Sequence, residues 1–283
     1  MRETMIVARF NEQPMENILY RLSWHPALLV TLLCVSFIIC PVYGQVPDDP
    51  TEQVPTPPID SPKTDANPNT AGSYTKKFLK DTWLDQKAVW SAPFRMNRGQ
   101  FFKIALPLAA GSAALFATDA DAMTVLPNTP DQVRWSKQVS RIGAVYTLGG
   151  VVSGTMVVGS VKHKPQVFEI GHLATHALVD SIIVSYALKY ATARERPYVN
   201  DGQGRFWKGG DSFPSGHAMH TWATAMVVAH SPGAPKWFKI ATYGIATAVS
   251  LSRWSSQKHF PSDILVGGVF GGLIGEYVSH RGR

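Results

Sequence analysis

Three short segments hold the residue types that phosphoryl transfer requires. "KYATARERP", residues 189–197, carries Lys189 and Arg196. "FPSGHAMH", residues 213–220, carries Ser215, Gly216 and His217. "SRWSSQKHFPSD", residues 252–263, carries Arg253, His259 and Asp263. Three cations suit a phosphate dianion and its more highly charged transition state. The planar guanidinium forks of Arg match phosphate oxygens in a way that Lys does not. Ser215 and Gly216 fall at an expected helix start, where backbone N–H groups and the positive end of the helix dipole favour an anion. Glycine there lets the backbone come close. Two histidines fill the two remaining roles. A neutral imidazole attacks phosphorus, and a protonated one gives its proton to the leaving oxygen. Asp263, four residues after His259, can accept from its Nδ1 and leave Nε2 free as nucleophile. His217 is then the acid.

Each piece alone has a plainer reading. A lysine at a helix end complements the dipole, Arg-Pro is common, P-S-G-H is an ordinary turn into a helix, and H-x3-D is weak. The specificity lies in the combination: three segments, in one order, brought to one place.

That place follows from the elements around them. Apolar segments at 101–118, 142–161, 167–191, 215–230, 236–252 and 262–279 have helical lengths, with poor β-branched alternation and no two-residue hairpin signal. "VKHKPQ" and "SPGAPKW" break them. The expected fold is all-α, a bundle of about six helices. In an up-and-down bundle the loop after 167–191 and the loop after 236–252 lie at the same end, so Lys189, Ser215, Arg253 and Asp263 converge on one mouth. In 142–161, a long uncharged run, Gly149, Gly150 and Gly154 suggest close helix packing. Before the bundle, "YTKKFLKDTWLDQKAVW" forms an amphipathic helix, with Leu79, Trp83 and Trp90 on one face and lysines elsewhere. That face either packs on the domain or lies on a membrane surface.

The three blocks resemble the signature of the type-2 phosphatidic acid phosphatase and vanadium haloperoxidase superfamily: K-x6-R-P, then P-S-G-H, then S-R-x5-H-x3-D, matched here without a gap or substitution. The resemblance covers roughly residues 75–280. It implies a helical fold of that kind and hydrolysis of phosphate monoesters or diphosphates through a phosphohistidine. It assigns Lys189, Arg196, Arg253, Ser215 and Gly216 to phosphate, His217 as acid, His259 as nucleophile and Asp263 as its orienter. It implies no metal and no cofactor for hydrolysis. One position is less usual: Gln257 and Lys258 precede His259 where many members have a small residue, and Lys258 adds a cation near the mouth.

Composition bounds the partners. The chain has 283 residues, 45% of them apolar, and a net charge of +7. Residues 45–72 hold one Lys against five Asp and Glu, whereas the chain from residue 73 onward holds 23 Lys and Arg against 12 Asp and Glu. A basic domain favours anionic partners. Without zinc-finger spacing, an RNA-binding signature or a basic helical array, nucleic acid is the weakest of them. A phosphorylated lipid or small phosphate ester, with a membrane surface, is expected.

The N-terminus reads as a targeting segment. "ALLVTLLCVSFIIC", residues 27–40, holds both cysteines, Cys34 and Cys40. It is short for a membrane span and is followed by small Gly44, as in a secretory signal peptide. An uncleaved membrane anchor is the alternative. Met15 offers another start with a basic n-region of ordinary length. The expected domains are 1–44 signal peptide or anchor, 45–73 a disordered Pro-rich linker, and 74–283 the phosphatase domain. Cleavage after Gly44 would leave no cysteine and no disulfide. The expected location is exported, on the periplasmic side, membrane-associated at the inner membrane or soluble.

Other polar residues carry less. His172, His176 and Asp180 at i, i+4 and i+8 have a spacing that could hold a metal. Asp180 lies nine steps of about 100° from Lys189, half a turn around the helix. The stripe therefore reads as a polar packing seam facing away from the site, and it makes that helix a poor lipid-facing surface. His220, one turn beyond His217, either supports the site or is satisfied packing. Arg205, Trp207 and Lys208 sit on the mouth loop, in a position to touch substrate. The expected function is an exported lipid phosphatase. The alternatives are a soluble periplasmic acid phosphatase of broad specificity, a vanadium haloperoxidase (generally a much longer chain in that superfamily), and a non-catalytic phosphate-binding module.

Overall fold

The computed structural model describes residues 68–281, and no strand occurs among them. The expected signal or anchor at 1–44, and the linker as far as residue 67, lie outside the described residues. α1, Pro68–Arg95, begins six residues before the boundary that composition suggested. Its aromatic face does not pack on the domain. Leu79, Trp83 and Trp90 are 62%, 70% and 43% exposed, whereas Thr82, Asp85 and Gln86 are buried. The polar face docks because the bundle presents buried polar groups that need partners. Gln86 Nε2 donates to Asp180 Oδ1 at 2.9 Å, Phe78 stacks on His176 at 4.2 Å, and Arg281 Nη1 donates to Asp85. His176 and Asp180 are completely buried there, so the stripe is the packing seam expected of it.

α2, Arg98–Thr124, starts from a capping box between Asn97 and Gln100. α3, Pro130–Ser140, was not expected, because "PDQVRWSKQVS" lacks an apolar stripe. Its signal is at its start, where Pro130 stands in the first turn and the Thr129 side chain accepts from Gln132 N. α3 braces the end of α7: Ser136 Oγ donates to Ser255 Oγ at 2.7 Å, and Gln132 Nε2 to Ser255 O at 3.2 Å. After a 3-10 turn at Arg141–Gly143 come α4, Val145–Val161, and α5, Pro165–Thr192. α6, Gly216–Ala229, α7, Lys236–Ser255, and α8, Pro261–Arg281, complete the fold.

α6 lies at the centre, packed on α5, α7 and α8. Leu148, Ala177, Val184, Met219, Ile274 and Val278 form the core around it. α8 meets α6 through glycines. A Cβ at Gly267, Gly271 or Gly275 would overlap the carbonyl oxygen of Ser215, Met219 or Ala223, respectively. One glycine per turn lets two backbones touch, as in a small-residue seam. Gly149 and Gly150, expected to serve that purpose, have no neighbour within 4 Å of a Cβ position. They lie off the helix interface.

Three helical stretches are long and apolar enough to cross a membrane: Arg98–Thr124, Pro130–Val161 and Pro165–Thr192. α5 is among them by length and composition, with its polar stripe included. His176 and Asp180 are buried against α1.

Candidate active site

The two motif loops meet at one end of the bundle, as alternating helix direction requires. Ser215 N donates to the Asp263 carbonyl at 2.9 Å, and the Ser212 carbonyl lies 2.8 Å from His259 Nδ1. Behind this contact is the glycine seam, which brings the start of α6 against the start of α8.

The residues expected to bind an anion come from four elements. Lys189 is near the C-terminus of α5, which ends at Ala193 in a left-handed cap. Arg196 follows in the next loop, and Arg253 is in the last turn of α7. Ser215 is the N-cap residue of α6, but its side chain caps nothing. Ser215 Oγ and Arg253 Nε are buried with no hydrogen-bond partner in the protein. Buried polar groups are ordinarily paired; these two are spare donors beside the α6 N-terminus. Among the described residues, no group of three His, Cys, Asp or Glu side chains is arranged as metal ligands.

His259 is 2% exposed. Burial is the largest influence holding its basicity well below the ordinary imidazole range, reinforced by the charges of Lys189, Arg253 and Arg196. Both influences favour the neutral imidazole. Its Nδ1 does not take Asp263 as its nearest partner, which corrects the expected pairing. The Ser212 carbonyl is at 2.8 Å and Asp263 Oδ2 at 3.5 Å. A carbonyl accepts only, so it fixes the proton on Nδ1 and frees Nε2. Asp263 holds the frame around the ring. Its Oδ2 accepts from Ser212 Oγ at 2.5 Å and from Phe260 N at 3.0 Å, and its Oδ1 accepts from Arg194 Nη1 at 2.7 Å.

His217 is in the first turn of α6. Burial, followed by the charges of Arg253, His220, Arg196 and Lys189, depresses its pKa to about 3. Beside Lys189, Arg196 and Arg253 the imidazole favours its neutral form. A bound phosphate dianion would offset their charge and favour the imidazolium. His220 is buried, with Nδ1 3.0 Å from Ser181 Oγ. Its Nε2 lies under Gly216, 3.2 Å from where a Cβ would be. It packs the start of α6 from beneath. On the mouth loop Arg205 pairs with Asp201, and Trp207 is 78% exposed, with Nε1 donating to Ala191 O at 3.1 Å. Lys208 N donates to Ala193 O at 2.9 Å. Lys258 Nζ stands 4.5 Å from the centroid of the Tyr198 ring at the mouth.

Two acidic residues and one arginine were missed by motif reading. Asp211 accepts from Arg196 Nε at 2.6 Å and Nη2 at 2.7 Å, and its carbonyl accepts from Lys189 Nζ. Hydrogen bonding to Arg196 draws its pKa down to about 2. Arg194, 2% exposed, reaches Asp263 on one side and Asp119 of α2 on the other. Arg194 and Asp211 stand inside or beside the motif segments, "TARERP" and "GGDSFPSGH". Nothing in the sequence marks Asp119.

Known proteins match parts of this chain. Over 89 residues it is 34% identical to a lipid A 1-phosphatase of Porphyromonas gingivalis, covering 31% of this chain and 18% of that protein. The aligned stretch is thus less than a fifth of the relative's length. Among solved structures, Aquifex aeolicus LpxE shares 20% identity at a TM-score of 0.43, over 53% of this chain and 86% of that one. A transmembrane PAP2-type phosphatidylglycerolphosphate phosphatase from Bacillus subtilis shares 18% identity at a TM-score of 0.47, over 72% of this chain and 94% of that one. Residues 171–281, the stretch that carries all three motif blocks, match the family model of the PAP2 superfamily, the family that those motifs resemble.

Proposed function

We propose that the chain is a metal-independent phosphatase acting on a phosphate monoester or diphosphate of a lipid, through a phosphohistidine at His259. The observation that carries this reading is the convergence of Lys189, Arg196, Arg253 and the α6 N-terminus, with its spare Ser215 hydroxyl, on a buried neutral histidine.

Phosphate oxygens bind the three cations, Ser215 Oγ and the backbone N–H at Gly216. His259 Nε2 attacks phosphorus. The P–N bond forms as the bond from phosphorus to the ester oxygen breaks, and His217, protonated beside the bound dianion, gives its proton to the departing alkoxide. Water then attacks the phosphohistidine. His217 takes a proton from that water, the P–N bond breaks, and inorganic phosphate leaves with both histidines restored. The equatorial charge is held by Lys189, Arg196 and Arg253 throughout.

A lipid as the alcohol is supported by the three apolar helical stretches and by the exposed aromatic face of α1, whose lysines Lys76, Lys77, Lys80 and Lys87 suit an anionic surface. The name of the Porphyromonas relative points the same way. In this reading the site faces the periplasm from a membrane-associated domain, with residues 1–44 as signal or anchor. The test is a panel of phosphatidate, an isoprenyl diphosphate, lipid A and small water-soluble monoesters, with halide oxidation measured on the same sample. Lipid phosphates should be turned over best, with 32P trapped on His259. Preference for soluble esters would support the broad-specificity acid phosphatase instead. Halide oxidation with vanadate and no phosphate release would overturn the reading.

A further inference from the structure

Arg194 is the most fully enclosed cation at the motif end of the bundle, and phosphate chemistry does not use it. Its guanidinium makes four hydrogen bonds to the protein. Nε donates to Gly204 O at 2.9 Å, Nη1 to Ser262 Oγ and Asp263 Oδ1 at 2.7 Å each, and Nη2 to Asp119 Oδ2 at 2.8 Å. The rings of Phe116, Phe206 and Phe260 enclose it, with centroids 5.1, 4.9 and 4.3 Å from Cζ. Asp119 in turn accepts from Ser262 N at 3.1 Å and from Ser262 Oγ. Asp119 and Asp263 are 1% and 0% exposed. Three charges in one dry pocket are costly unless they compensate one another.

The geometry points to Arg194 and Asp119 as positioning residues for His259: Arg194 holds the charge of Asp263 away from the imidazole, and Asp119 anchors Arg194 from α2. This rests on His259 being the nucleophile. Asp263 Oδ2 is 3.5 Å from His259 Nδ1. A carboxylate that near, with its charge unshared, stabilises an imidazolium and removes the nucleophile's lone pair. Here the charge is shared with Arg194 through Oδ1, while Ser212 Oγ and Phe260 N occupy Oδ2. The other charged or titratable groups acting on His259 are Lys189 of α5, Arg196 and Asp211 of the loops, His217 of α6 and Arg253 of α7. None of these touches Arg194, so the Arg194–Asp263 pair can be changed alone.

The test is kcat/KM against pH on the full-length protein in detergent, with p-nitrophenyl phosphate. Its leaving group needs little help from an acid, and its own ionisation is the same for every variant. In Arg194→Gln, Asp263 loses its cation, and the acid limb should move up by about one pH unit, as expected for an opposite charge at this range. kcat should fall while KM is little changed. Arg194→Gln combined with Asp263→Asn removes both charges and should bring the limb back. Asp119→Asn leaves Arg194 entirely to Asp263, so the limb should stay or move down. If Arg194→Gln does not fold, Arg194→Lys, which keeps the charge but lacks the fork to span three partners, should lower kcat with the limb unmoved. A lowered melting temperature in the Arg194 variants, with the acid limb of Arg194→Gln unmoved or kcat of Arg194→Lys unchanged, would reduce Arg194 to a structural role and overturn the inference. Activity surviving in His259→Ala would instead overturn the nucleophile assignment on which it rests.

Discussion

Asp211 holds Arg196 with both carboxylate oxygens, at 2.6 and 2.7 Å from Nε and Nη2. That fork is the one assigned to substrate phosphate. An anion entering the site must either share Arg196 with Asp211 or replace it.

Asp211→Asn should therefore tighten phosphate-like anions. The pair is partly exposed, so the gain is modest, roughly two- to fivefold in the inhibition constant of vanadate or phosphate. Steady-state inhibition checks it. Weaker inhibition in the variant would mean that Asp211 preorganises Arg196 and does not compete for it.

The two histidines should separate by leaving group. His217→Asn should lose about 10²–10⁴-fold on an alkyl phosphate, the usual worth of general-acid help, and much less on p-nitrophenyl phosphate. His259→Ala should lose both, because a better leaving group cannot replace a missing nucleophile. Asp263→Asn should slow both substrates alike. Equal loss on both substrates in His217→Asn would make His217 a phosphate ligand only.

Turnover should survive EDTA and be blocked by vanadate, because three cations and helix N–H groups supply the charge stabilisation. Recovery of lost activity on adding a divalent metal would contradict this.

The α6–α8 seam gives a stability prediction with a definite sign. Alanine normally improves a helix over glycine by about 1 kcal/mol. Gly271→Ala should nevertheless lower the melting temperature, since its Cβ would overlap the Met219 carbonyl oxygen and overpacking costs about 1–3 kcal/mol. Gly149→Ala, with open space around it, should be neutral or stabilising. Thermal unfolding of both variants decides.

The orientation of the mouth is open to labelling in intact cells. Gln203 is exposed on the loop at the mouth. Gln203→Cys should react with an impermeant thiol reagent applied from outside the inner membrane, in a background lacking Cys34 and Cys40. Protection would place the mouth in the cytoplasm.

The phosphate-site motifs were legible in the sequence because they depend on residue type at fixed local spacing. Lys189 and Arg196 are seven positions apart, Ser215-Gly216-His217 is one helix start, and Asp263 follows His259 by four positions. The helices were legible from apolar runs, apart from α3, whose only mark is Thr129-Pro130 at its cap. Tertiary structure decided what depends on burial and on charges distant in sequence. Arg194 meets Asp119 across 75 positions. The partner of His259 Nδ1 is a backbone carbonyl 47 positions away, and a carbonyl has no side-chain identity to read. The face of α1 that docks was also decided there. Amphipathicity pointed to its aromatic side, but the buried carboxylate of α5 needed a hydrogen-bonding partner, which Gln86 supplies while Phe78 stacks on His176, more than the core needed another apolar stripe.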